Sequence, residues 1–233
     1  MERGLYIAAS GMVAEQMRQD QIANDLANAS TPGYKADRVT QRAFADLLLT
    51  NTATGQTIGA LTPGVAADRM VTDTSPQPVR DTGEPLDLAI VGDGWFAVQT
   101  PQGTRYTRNG QFSAAADGTL TDQLGNRVIG RNGQPVHVDA NGHVNGSDVG
   151  VFALTNPTKQ GDNLFDGTPD PAHPATGTVR TGALEGSGVD PARTMVDMIA
   201  SFRAFEAGQK VIQTIDESLH KTATQVASMN GGA

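Results

Sequence analysis

The sequence predicts an α+β fold, with long N- and C-terminal helices forming a coiled-coil-like stalk and flanking a central antiparallel β-rich domain. Three observations predict it. Apolar residues recur at heptad spacing near both ends of the 233 residues. Sharp helix stop and start signals bound those stretches, and short alternating segments separated by glycine fill the middle.

Residues 3–29 contain no proline, and their only glycines, Gly4 and Gly11, fall near the start, so one continuous helix is predicted. It stops at Ser30-Thr31-Pro32-Gly33. The proline disfavours helix in the residue before it, and the glycine is free to take a positive φ. Leu5, Met12, Gln19 and Leu26 repeat every seven residues, with Ala8, Ile22 and Ala29 on a second row that Glu15 interrupts.

At the other end, Asp190-Pro191 places a helix-capping aspartate before a proline suited to the first helical position. From there Met195, Met198, Phe202, Phe205, Gln209, Ile212, Asp216, Leu219, Ala223 and Val226 alternate steps of three and four. One row, Met198, Phe205, Ile212, Leu219 and Val226, is wholly apolar, while Ile199 and Ile215 widen the stripe beyond what a single partner needs. A helix of about 40 residues reaches roughly 60 Å, too long for a 24.3 kDa globule to cover. The stripe therefore calls for the N-terminal helix, for neighbouring subunits, or for both. Before such partners arrive, both ends are expected to be largely disordered, roughly residues 1–35 and 190–233.

Between the helices, residues 86–91 and 95–99 read as strands joined in a hairpin by Gly92-Asp93-Gly94. Turns are predicted at Asp117-Gly118, Gly125-Asn126, Asn132-Gly133 and Asn141-Gly142, and the proline-rich stretch 156–178 reads as loop. The chain thus divides into an N-terminal assembly helix and turn (1–35), an extended or irregular connector (36–85), a central β-rich domain (86–188) and a C-terminal assembly helix (189–233).

Formal net charge is −8 and no Lys/Arg-rich block occurs, which argues against a nucleic-acid footprint. There is no cysteine, so disulfides, thiolate catalysis and cysteine-ligated metals are excluded. No cleavable secretory signal and no membrane-spanning apolar run are visible. Phosphate-binding glycine loops, the nucleophile elbow and H-E-x-x-H are absent, so no catalytic residue, cofactor or metal is assigned. His137, His143, His173 and His220 are scattered singly. Asp139-Ala140-Asn141-Gly142 and Asp162 to Gly167 carry spaced oxygen donors near a glycine, but neither completes a calcium loop.

Four blocks carry a resemblance. They are Gly4 to Met12 with Ile22-Ala23-Asn24-Asp25-Leu26-Ala27-Asn28-Ala29-Ser30-Thr31-Pro32-Gly33-Tyr34-Lys35; Pro85 to Val98; Tyr106-Thr107-Arg108-Asn109-Gly110-Gln111-Phe112; and Gly182-Ala183-Leu184-Glu185-Gly186-Ser187 with Met195 to Lys210. Their content and order resemble the flagellar basal-body rod and hook family of axial proteins, FlgF/FlgG type. The sequence departs from that pattern at Gly188, where the family usually has Asn, and at Phe202, where it often has Gln.

The resemblance implies a structural subunit of the bacterial flagellar basal-body rod, exported by the flagellar export apparatus without a cleaved signal peptide. It would polymerise with itself and with other rod and hook axial proteins into a shaft that transmits torque, with no enzymatic activity, nucleic acid or direct membrane insertion. The residues expected at the assembly interface are Leu5, Met12, Ile22, Leu26, Met195, Met198, Phe202, Phe205, Ile212, Leu219 and Val226. The alternative reading is a secreted β-rich module that binds cell wall or calcium, with the helices as an oligomerisation stalk.

Overall fold

The computed structural model describes residues 2–43, 47–50, 57–61, 65–161, 163–170 and 172–230. Two helices flank a central antiparallel β-rich region, and the chain forms two compact units: Met1–Leu26, Asp37–Val71 and Pro191–Ala233 make the first, Ala27–Ala36 and Thr72–Asp190 the second.

The first unit contains α1 (Glu2–Ala27), β1 (Asp37–Ala43), β2 (Leu47–Thr50), β3 (Thr57–Leu61), β4 (Val65–Thr72) and α2 (Pro191–Asn230). Helix α1 ends where the Pro-Gly signal dictates, with Thr31 N–H donating to Asn28 O and Gly33 at φ 64°. Helix α2 opens on Pro191 and runs 40 residues. Within the stretch 36–85, expected to be extended or irregular, β1 pairs with β4, and β2 pairs antiparallel with β3, Leu47 opposite Leu61.

The second unit contains β5 (Val79–Asp81), β6 (Leu88–Val91), β7 (Trp95–Thr100), β8 (Gly103–Thr107), β9 (Ser113–Ala114), β10 (Leu120–Thr121), β11 (Arg127–Ile129), β12 (Val151–Phe152), β13 (Leu154–Gly161), β14 (Leu164–Pro169), β15 (Thr178–Thr181) and β16 (Ala183–Glu185). One sheet runs β13-β14-β8-β7-β11-β10-β9, with β12 also on β7, while β6 pairs with β15 and β5 with β16. Strand β7 explains its own apolar run. Phe96 and Val98 point into one cluster with Leu88, Leu120 and Val128, and Trp95 and Ala97 into another with Tyr106 and Phe165. Burying each large side chain here contributes on the order of 1.5–3 kcal/mol. Trp95 and Phe165 meet at a tilt with ring centres 4.5 Å apart, and Phe96 meets Phe112 edge-on at 5.3 Å.

The four predicted turns form, each closed by a glycine N–H bonded three residues back: Gly118 to Ala115, Gly125 to Asp122, Gly133 to Gly130 and Gly142 to Asp139. Two expectations for the middle are corrected. Gly92-Asp93-Gly94 does not close a hairpin, because β6 pairs with β15 while β7 pairs with β8, β11 and β12. It is instead a corner between two ladders, with Gly92 and Gly94 at φ 105° and 134°. The stretch 156–178 is not simply loop, since β13 and β14 form a hairpin within it. Pro157 is accommodated by a register shift between Thr155 and Thr158, next to Asn156 at φ 50°.

Candidate functional site

Within the first unit, α1 and α2 touch at small residues. A Cβ added to Gly4 would lie 3.6 Å from Ile215 Cδ1, and one added to Gly208 would lie 2.8 Å from Met12 Cγ. Ser201, fully buried, donates its hydroxyl to Glu15 Oε2 at 2.7 Å. The pairs 4 with 215, 12 with 208 and 15 with 201 run in opposite chain directions, so the helices pass antiparallel. A groove of about 480 Å³ lies among α1, β4 and α2, bordered by Gly4, Ala8, Gly11, Val65, Ala204 and Gly208.

This places the residues expected at the assembly interface in two groups. Ile22 is buried, and Leu5, Met12, Leu26, Met198, Phe205, Ile212 and Leu219 are half-buried in the single chain. Met195 and Phe202 lie elsewhere, 52% and 50% exposed, together with Val196, Ile199 and Val211. The side chain of Val226 lies outside the described ones. The covered second row of α2 is Thr194, Ser201, Gly208 and Ile215, not Met195, Phe202, Gln209 and Asp216. Sequence reasoning favoured large apolar side chains, whereas close helix approach selects small ones. A seven-residue recurrence of Thr, Ser and Gly was the available signal.

Sequence reasoning also missed a buried charge cluster in the second unit. Lys35, Glu185 and Arg108 have side-chain exposures of 0%, 0% and 2%. Lys35 Nζ donates to Glu185 Oε1 and to Ser75 O, both at 2.7 Å, and Arg108 Nη1 donates to Glu185 Oε2 at 3.0 Å. Gln77 N–H adds a third donor to the carboxylate, 2.8 Å from Glu185 Oε1. Arg108 also donates to Gly92 O at 2.9 Å, tying the corner before β7, and its guanidinium lies 5.6 Å from the centre of the Trp95 ring. Burial holds the Lys35 ammonium below its usual pKa, with Glu185 partly opposing that shift.

Around this cluster, residues 28–36 are fastened on several sides. Gly33 N–H donates to Glu185 O at 3.0 Å, Gly188 N–H to Tyr34 O at 2.8 Å, and Ser187 Oγ to Asn28 O at 2.9 Å. From β13, Lys159 Nζ donates to Lys35 O and sits 3.9 Å above the Tyr34 ring. The expectation of disorder fails for this segment, in which Gly33, Tyr34 and Lys35 are buried. Gly188 departs from the family pattern at a tight place: an added Cβ would stand 3.1 Å from Tyr34 O.

Chemically these arrangements hold segments together. Among the described residues, no group of three or more His, Cys, Asp and Glu could hold a metal ion, and no helix is long and apolar enough to cross a membrane. All four histidines are exposed. The first calcium-like run is a turn in which Asp139 Oδ1 accepts from Asn141 and His143 N–H groups; in the second, Asp162 lies outside the described residues.

Two terminal helices with uncovered apolar residues, flanking a well-buried β unit, define a helix-flanked β protein. Comparison with known proteins gives the family. Residues 5–35 match the description "Flagella basal body rod protein", residues 89–148 "Flagellar hook protein FlgE/F/G D1 domain", and residues 180–225 "Flagellar basal body rod FlgEFG protein C-terminal". The chain is 33% identical to the flagellar basal-body rod protein FlgG of Bacillus subtilis, covering 95% of this chain and 98% of that protein. It is 33% identical to FlgF of Salmonella typhimurium and 34% to FlgF of Escherichia coli, covering 99% of this chain and 100% of each relative. The chain belongs to the flagellar basal-body rod protein family.

Proposed function

We propose that this chain is a structural subunit of the bacterial flagellar basal-body rod, polymerising through its terminal helices into the axial drive shaft that transmits torque. The observation that carries the proposal is the apolar face of α2 left uncovered in the single chain, where Met195, Ile199 and Phe202 are at least half exposed. In this reading the half-buried row of Met198, Phe205, Ile212 and Leu219 packs within a coiled-coil-like stalk of 1–35 and 189–233. The exposed row of Met195 and Phe202 meets neighbouring subunits, an association that repeats without closing. The partners are further copies and other rod and hook axial proteins. The location is the basal body, reached through the flagellar export apparatus without a cleaved signal peptide. The subunit has no catalytic role. The alternative, a cell-wall or calcium-binding module, finds no support in relatives matched over nearly the whole chain and named as rod proteins.

The test separates the two rows. Phe202→Asp leaves the purified monomer folded and stops rod assembly and motility in cells; Phe205→Asp does the same while also loosening α1 from α2. Motile cells with intact rods carrying Phe202→Asp would refute the proposal.

A further inference from the structure

The turn after α1 belongs to the β unit, not to the unit that contains α1, and one buried carboxylate joins it there. We propose that residues 28–36 are the closing segment of the second unit, which folds as a whole only when this segment docks and opens as a whole when it is withdrawn. The inference goes beyond the assembly reading and does not depend on it.

Glu185 receives Lys35 from this segment and Arg108, the residue that follows β8. Withdrawing residues 28–36 takes one of two cations from a carboxylate that has no access to water, and takes the Gly33 N–H from the main-chain carbonyl of Glu185. The loss reaches the core through Arg108, which holds Gly92 at the corner before β7 and lies over Trp95. On another side, Lys159 of β13 loses both Lys35 O and the face of Tyr34. The segment is distant in sequence from all these groups, so the seat cannot be completed by the central strands alone. The consequence is regulatory: anything that holds residues 28–36 away from their seat, or stretches them, keeps the β unit open.

Gly33 supplies the test, because at φ 64° its missing Cβ would lie 2.3 Å from Arg108 C and O. Gly33→Ala in the full chain therefore blocks docking while leaving every charge in place. Gly83→Ala is the control, with similar strain at φ 78° and nothing within 4 Å of the added atom. Hydrogen exchange and urea unfolding, followed by the fluorescence of the single tryptophan Trp95, are the readouts. Gly33→Ala is expected to accelerate exchange in β7 and β11 together with residues 28–36, on the order of 100-fold. Failure of Gly33→Ala to fold where Gly83→Ala folds is the extreme of the same outcome. Lys35→Glu, which sets a second carboxylate against Glu185, is expected to act in the same way and to add little in a Gly33→Ala background. Exchange faster only in residues 28–36 and 185–188, a Trp95 midpoint no lower than that of Gly83→Ala, or full additivity of the two substitutions would overturn the proposal.

Discussion

The two units treat their charged and apolar side chains in opposite ways. The second buries Lys35, Arg108 and Glu185 together with a core that includes Phe96, Leu120 and Val128. The first leaves Tyr6, Val13, Met17, Met195, Val196 and Phe202 about half exposed or more. One unit pairs its buried charges with each other, and the other leaves apolar side chains at its surface. In the proposed reading, stability and association fall to different parts of one chain.

The largest effect that would break this comparison comes from Glu185→Gln. It leaves Lys35 and Arg108 buried without their anion and should cost the second unit about 3–5 kcal/mol, read as a fall in the urea midpoint of Trp95 fluorescence. An unchanged midpoint would show that the cluster is not what holds this unit. Next is Gly208→Leu, which forces a large side chain against Met12. It should cost the α1 and α2 contact ~1–3 kcal/mol, seen as faster exchange in α1 with β7 unaffected.

A smaller, pH-dependent effect sharpens the account of Lys35. Its folded pKa lies below 10.5, so between the two values the unfolded chain binds more protons, and stability rises with pH across that window. Tyr106 acts in the opposite sense, because burial raises its pKa in the folded state and its contribution falls as pH rises above 10. The difference in melting temperature between the parent chain and Lys35→Met isolates the lysine and should grow as pH rises towards 10.5. The smallest effect is on the monomer carrying Phe202→Ser. The side chain is half exposed, so its stability should change by no more than about 0.5 kcal/mol, while sedimentation should show weakened self-association.

How much of this was legible in the sequence depends on the kind of signal. Asp190-Pro191 and Thr31-Pro32-Gly33 are local backbone constraints, and both helix boundaries follow them closely. The glycine turns at Gly118, Gly125, Gly133 and Gly142 are local in the same way. The corner at Gly92 to Gly94 was misread because a glycine pair states only that the chain bends. Whether the strands then pair with each other depends on β15, more than 80 residues away. The row of Ser201 and Gly208 was missed because periodicity ranks residues by hydrophobicity, whereas close approach ranks them by size. The charge cluster was the least legible. Lys35, Arg108 and Glu185 stand in three separate blocks, and nothing in the spacing of a lone lysine marks it as buried.

The bond from Ser201 to Glu15 bears on how this protein would carry a mechanical load. Two smooth apolar helix faces resist being pulled apart but slide past one another readily, and a slip of one turn, ~5.4 Å, restores most of their contacts. A hydroxyl held 2.7 Å from a carboxylate, with Met12 seated over Gly208 nearby, has no equivalent position one turn away. In a shaft under torsion, this small polar contact would resist sliding and hold the register of the helix pair, while the apolar contacts would give it cohesion.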